Sequence, residues 1–341
     1  MENTHLKFLV ESKVPFLRGV LEPYGAVDYA DPEDITPGRV RDVDAMIVRT
    51  RTHAGEALLG GSRCSFVATA TIGTDHIDAP WCAAHGIAVA NAPGCNAPAV
   101  AQYVLGSVAA LHPGPLAGLV LGVVGVGHVG SIVARWGRSL GMRVMECDPP
   151  RERAEGGDGW CSLADIAREA DVITFHTPLT SSGPDATFHL AGEEFFASLR
   201  RRPVVVNAAR GAVVDTPALV AALDSGLVGA AVIDCWEGEP AISPELLQRA
   251  AVATPHIAGY SREGKWRASQ MAVDAVAAHF GLPHIVLPGD APAPTPDAVT
   301  EAAVRASYNP LEADTPALRS DPSAFERLRN GYALRAELRE G

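Results

Sequence analysis

The chain reads as an α/β protein with parallel sheets, divided into two domains. Three observations predict this. Short apolar runs of strand length alternate with helix-length segments along the whole sequence. One of them, Leu119–Val124, leads directly into a glycine-rich turn and then a helical stretch. At 341 residues and 47% hydrophobic content, the chain exceeds what one core usually supports.

Phe8–Val10, Ala45–Val48, Phe66–Ala68 and Ile87–Val89 are predicted strands of the first domain, each a brief apolar run closed by turn-forming residues. The turns after them carry Arg49-Thr50, Thr71-Ile72-Gly73-Thr74-Asp75 and Asn91-Ala92-Pro93-Gly94-Cys95-Asn96. Pro98–Leu111 is apolar and long enough for a helix bridging the domains, and His112-Pro113-Gly114-Pro115 ends it. The second domain is predicted to hold strands Leu119–Val124, Arg143–Cys147, Asp171–Phe175, Val204–Val206, Ala230–Ile233 and Val252–Ala253. Ala268–Phe280 has the spacing of a helix returning to the first domain. Pro288–Pro296 contains four prolines and reads as a linker. From Ala298 onward the tail is charged and helical in pattern, with Phe325, Leu328, Tyr332 and Arg335 on one helix face. The expected division is 1–97 with 260–287, then 98–259, then a small C-terminal domain over 288–341.

The net charge of −12 argues against nucleic acid and anionic membranes as partners and favours a small molecule. No apolar run of transmembrane length occurs. The six cysteines show neither CxxC nor metal-ligand spacing, so no metal site is expected, and a reducing cytoplasm is the simplest location.

Gly125-Val126-Gly127-His128-Val129-Gly130 is a GxGxxG between a strand and a helix. The glycines permit a tight turn, close approach to a pyrophosphate and helix–strand packing, and the helix N-terminus attracts phosphate charge. Asp148 ends the next strand, 18 residues past Gly130. An acid there suits the ribose hydroxyls and repels a 2′-phosphate, which predicts NAD; Arg151 and Arg153 keep NADP open.

Three later segments deliver an Arg, a Glu and a His to the carboxyl edge of one parallel sheet, where ligands bind in open α/β folds. They are Asn207-Ala208-Ala209-Arg210-Gly211, Asp234-Cys235-Trp236-Glu237-Gly238-Glu239-Pro240 and Thr254-Pro255-His256-Ile257-Ala258-Gly259-Tyr260. Arg210 is a two-pronged donor for a carboxylate, or else a surface ion-pair partner. His256 is an acid–base group oriented by Glu239, or else a core histidine. Asp234 meets the cofactor or caps a helix. Thr177, after Asp171–Phe175, contacts the cofactor or shapes the turn at Pro178. Taken together with the dinucleotide motif, these residues predict hydride transfer with an acid–base histidine.

These segments resemble the D-2-hydroxyacid dehydrogenase family over nearly the whole chain. The resemblance implies two Rossmann-like domains, a flavodoxin-like substrate domain and an NAD-binding domain, plus a C-terminal dimerisation domain around Ser323–Glu337. It implies Arg210 and Glu239 as catalytic residues and His256 as proton donor and acceptor. At NAD it implies Gly125, Gly127, His128, Val129, Gly130, Asp148, Thr177, Ala208, Asp234 and Gly259. At the substrate it implies Thr50, Thr71 and Tyr260. The substrate class is a small phosphorylated 2-hydroxy acid and the assembly a homodimer. The phosphate needs cationic partners beyond Arg210: Arg49, at the end of its strand, is the first candidate and Arg335, in the tail, the second, although an arginine that buries its stem and keeps its head in water is the favoured reading of Arg335. Gln102 departs from the family, many members of which carry Glu there. Two other readings stand beside this one: another D-2-hydroxyacid dehydrogenase, such as one acting on 3-phosphoglycerate, and a non-enzymatic NAD-sensing regulator on the same fold.

Overall fold

The computed structural model describes residues 6–339. It separates into two compact units, 1–96 with 262–293, and 97–261 with 294–341.

The first unit is a five-stranded parallel sheet of β1 (Leu6–Glu11), β2 (Gly25–Ala30), β3 (Ala45–Val48), β4 (Phe66–Thr69) and β5 (Ala88–Ala90), in the order β2-β1-β3-β4-β5. The sequence gives no apolar run at β2. It is an edge strand paired to β1 alone, and its half-exposed residues leave little apolar signal. The helix Arg262–Phe280 returns to this unit. Its Ala268, Ala272, Val273 and Val276 join Phe8, Val10 and Ile47 in one core.

The second unit is a six-stranded parallel sheet of β6 (Val120–Val124), β7 (Arg143–Cys147), β8 (Val172–Phe175), β9 (Val204–Asn207), β10 (Ala230–Ile233) and β11 (Val252–Ala253). The order is β11-β10-β9-β8-β6-β7. Apolar cores cover both faces: Val124, Phe175, Val205 and Ile233 on one, and Leu121, Val123, Val206 and Val232 on the other. Burial on both sides explains why the strands other than the edge strand β7 read as largely apolar runs. The order reverses at β6, whose neighbours β7 and β8 lie on opposite sides, so the glycine-rich turn opens at a topological switch point.

Residues 294–341 of the C-terminal segment fall within the second compact unit. The Trp136 indole N–H donates to the Pro296 carbonyl at 2.8 Å, and the Ala253 N–H to Thr315 Oγ1 at 3.1 Å. Val304, Leu318 and Phe325 are buried in its cores. The helical stripe is shorter than its spacing implied. The helix Phe325–Asn330 ends at Gly331, so Tyr332 and Arg335 lie beyond it, and Arg335 makes an isolated parallel bridge with Ser261.

Candidate active site

In the second unit every predicted site residue follows the carboxyl end of a strand. The register pairs Asn207 with Ile233 and Ile233 with Ala253, which sets three loops side by side. Arg210 comes from the loop after β9, Glu239 from that after β10, and His256 from that after β11. Each loop is shaped by a buried or half-buried polar residue that hydrogen-bonds to backbone.

Asn207 shapes the first. Its amide donates to the Arg210 and Gly211 carbonyls at 3.0 and 3.2 Å, and its Oδ1 accepts the Ala209 N–H at 3.2 Å. Gly211 then lies against the neighbouring loop. A Cβ there would collide with the Trp236 carbonyl and come within 2.5 Å of the Glu237 nitrogen. Glu237 anchors that second loop, accepting from His189 Nε2 at 2.7 Å and the Thr216 N–H at 2.9 Å.

Asp234 shapes the third. It is 1% exposed. Its Oδ1 accepts from the Thr254 hydroxyl at 2.7 Å and the Ile257 N–H at 2.8 Å, and its Oδ2 from the Ala258 N–H at 2.9 Å. Tyr103 Oη pairs with the Thr254 hydroxyl at 2.7 Å behind it. Asp234 therefore holds the His256 turn from both sides. This clamp role stands beside the expected cofactor contact, since a carboxylate has about four acceptor sites and three are used here. Within the turn His256 adopts a left-handed φ of 55°, a region where non-glycine residues are uncommon.

Glu239 Oε2 lies 2.8 Å from His256 Nδ1, and Glu239 Oε1 accepts the Trp236 N–H at 2.7 Å. Burial opposes ionisation of Glu239, but His256, the Trp236 N–H and the Arg329 guanidinium outweigh it and hold the carboxyl below its usual range. Burial likewise opposes charge on His256; the Cys235 sulfur and the Glu239 carboxylate reverse this and raise its pKa well above the usual histidine value. Burial raises the Cys235 thiol, so near neutral pH it is uncharged and Glu239 is the anion that favours the imidazolium. Donor atoms of Cys235, Glu239 and His256 lie within 4.8 Å of one another. The Glu239–His256 bond fixes the tautomer: Nδ1–H faces the carboxylate, and Nε2 is left for proton transfer.

The glycine-rich turn tests whether a dinucleotide fits. A Cβ on Gly125, at φ 86°, would sit 2.9 Å from His176 and Thr177 backbone atoms, and one on Gly130 would strike the Gly125 carbonyl. The protein's own packing demands those two glycines. A Cβ on Gly127 would meet nothing within 4 Å, so open space for a pyrophosphate lies beside its backbone at the helix His128–Ser139. Thr177 Oγ1 is sealed from solvent without a hydrogen-bond partner, which suits a ligand contact. Asp148 accepts the Val126 N–H at 2.8 Å and the Arg151 N–H at 3.1 Å, so it also clamps the turn. A carboxylate retains further acceptor sites for a ribose hydroxyl. Arg151 is tied to Glu155 at 2.8 Å and to the Val126 carbonyl, and Arg153 to Asp185, which leaves the NADP reading without its cations. Ala208 and Gly259 lie half-buried in loops at the same sheet edge.

In the first unit, β3 pairs Val48 with Thr69 of β4, so Thr50 and Thr71 each follow by two residues at the carboxyl edge. Thr71 Oγ1 bonds Thr69 at 2.7 Å and the Gly73 carbonyl at 2.9 Å. The Arg49 N–H donates to Glu11 Oε2 at 2.9 Å, its Nη1 to the Lys13 carbonyl at 3.1 Å, and its Nε is buried without a partner. Arg335 does not fit its expected role. Its terminal nitrogens donate to the carbonyls of Ile257 (3.1 Å), Tyr260 (3.3 Å), Ala99 (2.9 Å) and Ala258, and its guanidinium lies over Tyr308. Gln102 Nε2 donates to the Ala336 carbonyl at 3.1 Å.

Residues 102–258 match the family model described as D-isomer specific 2-hydroxyacid dehydrogenase, NAD binding domain. The erythronate-4-phosphate dehydrogenase of Bacteroides thetaiotaomicron is 44% identical over 342 aligned positions, covering 97% of each chain. This chain belongs to the D-isomer specific 2-hydroxyacid dehydrogenase family. Two solved structures of similar fold agree. The TT0316 protein of Thermus thermophilus has a TM-score of 0.70 at 28% identity, covering 83% of this chain and 100% of its own. The D-lactate dehydrogenase of Aquifex aeolicus, complexed with NAD and lactic acid, has a TM-score of 0.67 at 26% identity, covering 81% and 95%. For a D-2-hydroxyacid dehydrogenase, the turn at Gly125–Gly130 lies in the NAD-binding unit. Among the described residues, no helix is long and apolar enough to cross a membrane.

The predicted residues Arg210, Glu239 and His256 fall on adjacent loops. Sequence reading missed the roles of Asn207, Gly211 and Thr254, and missed Arg329 altogether. Asn207 and Asp234 carried the available signal, a polar residue closing or just following an apolar strand.

Proposed function

We propose that the chain catalyses NAD-dependent oxidation of 4-phospho-D-erythronate at C2, giving (R)-3-hydroxy-2-oxo-4-phosphooxybutanoate, a step of pyridoxal phosphate biosynthesis. The observation that carries this is the Glu239–His256 pair at 2.8 Å beside the Arg210 loop, in a chain 44% identical over 97% of its length to an erythronate-4-phosphate dehydrogenase.

His256 is the base. Glu239 holds Nδ1–H, so the Nε2 lone pair takes the C2 hydroxyl proton, and the imidazolium that forms is stabilised by the same carboxylate. Arg210 binds the substrate carboxylate and polarises the C2 oxygen, a two-pronged contact that a guanidinium makes well. Tyr260, Thr50, Thr71 and Arg49 are the further substrate residues of this reading. Gly127 gives the pyrophosphate its approach, with His128 and Val129 opening the helix behind it. Thr177, Asp148, Ala208 and Gly259 complete the cofactor contacts. Bound NAD supplies the hydride acceptor for the C2 hydrogen. A homodimer in the cytoplasm belongs to the same reading, and light scattering tests the assembly.

Steady-state NADH formation with 4-phosphoerythronate against erythronate tests the function. The phosphorylated acid is expected to be preferred by at least ten-fold, roughly the worth of one charge-assisted contact. No preference, or no turnover on either acid, refutes the assignment.

A further inference from the structure

A phosphate on the substrate needs a cation, and the tail's expected one is occupied. Arg335 spends its terminal nitrogens on backbone carbonyls, and Arg210 is matched to the carboxylate. One turn of tail earlier, Arg329 differs. It lies on the helix Phe325–Asn330 with its side chain 19% exposed. It hydrogen-bonds Tyr260, and its charge contributes to the lowered pKa of Glu239, which places it beside the Glu239–His256 pair. Among the described residues it pairs with Glu326, at 3.5 Å and one turn away on the same helix. Its Nε is buried without a hydrogen-bond partner. Tyr332 packs edge-on against Tyr260, with ring centroids 6.2 Å apart, and steadies the residue that Arg329 touches.

A guanidinium this enclosed, with a sealed and unused donor, is costly unless something accepts from it. Glu326 is a weak partner: the contact is long and the carboxylate is half-exposed. A phosphate monoester offers three acceptor oxygens and a charge near −2, and a guanidinium meets it with two parallel donors. We infer that Arg329 is the phosphate-recognition residue of the site, binding the substrate's terminal phosphate monoester next to Tyr260. This rests on the reading of the substrate as a phosphorylated 2-hydroxy acid. It also gives the tail a task in the site: the segment that carries Arg329 packs onto the same unit that carries Arg210, Glu239 and His256.

The test is kcat/KM on 4-phosphoerythronate and on erythronate for wild type, Arg329→Gln and Arg329→Lys, with inorganic phosphate as a competitive probe. Arg329→Gln is expected to lose about 30- to 100-fold on the phosphorylated acid, mainly through KM, the worth of a lost charge-assisted pair. Its kcat/KM on erythronate should fall by much less, through the weaker support of Tyr260 and Glu239 alone, and phosphate should no longer compete. Arg329→Lys should keep part of the discrimination, and it serves as the readout if the Gln variant does not fold. Equal losses on both acids would make Arg329 only a support for Tyr260 and Glu239 and would overturn the inference, as would unchanged discrimination. If wild type itself shows no preference for the phosphorylated acid, the functional reading fails, whatever Arg329 does.

Discussion

Asp234→Asn should damage both stability and turnover. The carboxylate is 1% exposed and accepts three hydrogen bonds at 2.7, 2.8 and 2.9 Å. An amide keeps one acceptor oxygen. If that oxygen faces Thr254 and Ile257, the amide NH2 meets the Ala258 N–H, donor against donor. One buried N–H is then unsatisfied, costing about 1–3 kcal/mol, and the remaining bonds lose their charge assistance, for a total of about 2–4 kcal/mol. Burial raises the Asp234 pKa, with His256, Thr254 and the two N–H groups opposing, so removing the charge recovers part of the desolvation cost and favours the lower half of that range. For a unit of this size the loss is roughly 4–16 °C in Tm. The turn that holds His256 at φ 55° loses its clamp, so kcat should fall by more than ten-fold. Thr254→Val is the control. It removes the hydroxyl link between Tyr103 and Asp234 but leaves both N–H bonds, and should cost about 1 kcal/mol. Differential scanning calorimetry and steady-state kinetics read both variants. An Asp234→Asn protein with wild-type Tm and kcat would refute the clamp.

Further outcomes follow from the same geometry. Oxidation needs neutral His256, so its rate should rise with pH through a titration lying above the ordinary histidine value, and the reverse reduction should fall through the same titration; Glu239→Gln should move both limbs to lower pH, and an unmoved limb counts against the pair. Gly211→Ala should force the Arg210 and Glu237 loops apart and cut kcat at least ten-fold with NAD affinity unchanged, measured by kinetics and a fluorescence titration of NADH. Asp148→Ala should weaken NAD binding by about ten-fold, since it removes the Val126 clamp, and should gain little NADP use because Arg151 and Arg153 are already paired; wild-type activity with NADP equal to that with NAD would contradict this.

Most of the second unit was legible because its strands are buried on both faces. Apart from the edge strand β7, which carries Arg143 and Glu146, they show as largely apolar runs, and each ends where chemistry begins. The edge strand Gly25–Ala30 was not legible, for its half-exposed residues resemble a loop. Arg210, Glu239 and His256 were readable as residue types following strand ends. That Asp234 clamps the His256 turn was not, since a helix cap and a ligand contact share one sequence pattern and only the positions of the Ile257 and Ala258 N–H groups decide. In the tail, periodicity placed Arg335 on a helix face. Gly331 stops that helix first, and a side chain released from helical geometry caps carbonyls instead.

The tail exchange between Arg335 and Arg329 shows how two like residues acquire unlike roles. Both are arginines, both are largely enclosed, and both have a buried Nε without a partner. What separates them is what surrounds the terminal nitrogens. Around Arg335 the carbonyls of Ala99, Ile257, Ala258 and Tyr260 point inward, so the guanidinium ties the end of the His256 loop to the helix Ala97–Leu111. Such a cation is a structural tie, and its loss would loosen the loop whatever the substrate. Around Arg329 stand the Tyr260 phenol and two carboxylates, Glu239 and, on its own helix, Glu326, and among the described residues no comparable ring of carbonyls meets it. The distinction predicts opposite signatures. Arg335→Gln should lower Tm and reduce kcat/KM on phosphorylated and unphosphorylated acids alike, whereas Arg329→Gln should act mainly on the phosphorylated acid. An Arg335 variant that lost only the phosphorylated substrate would reverse the two assignments.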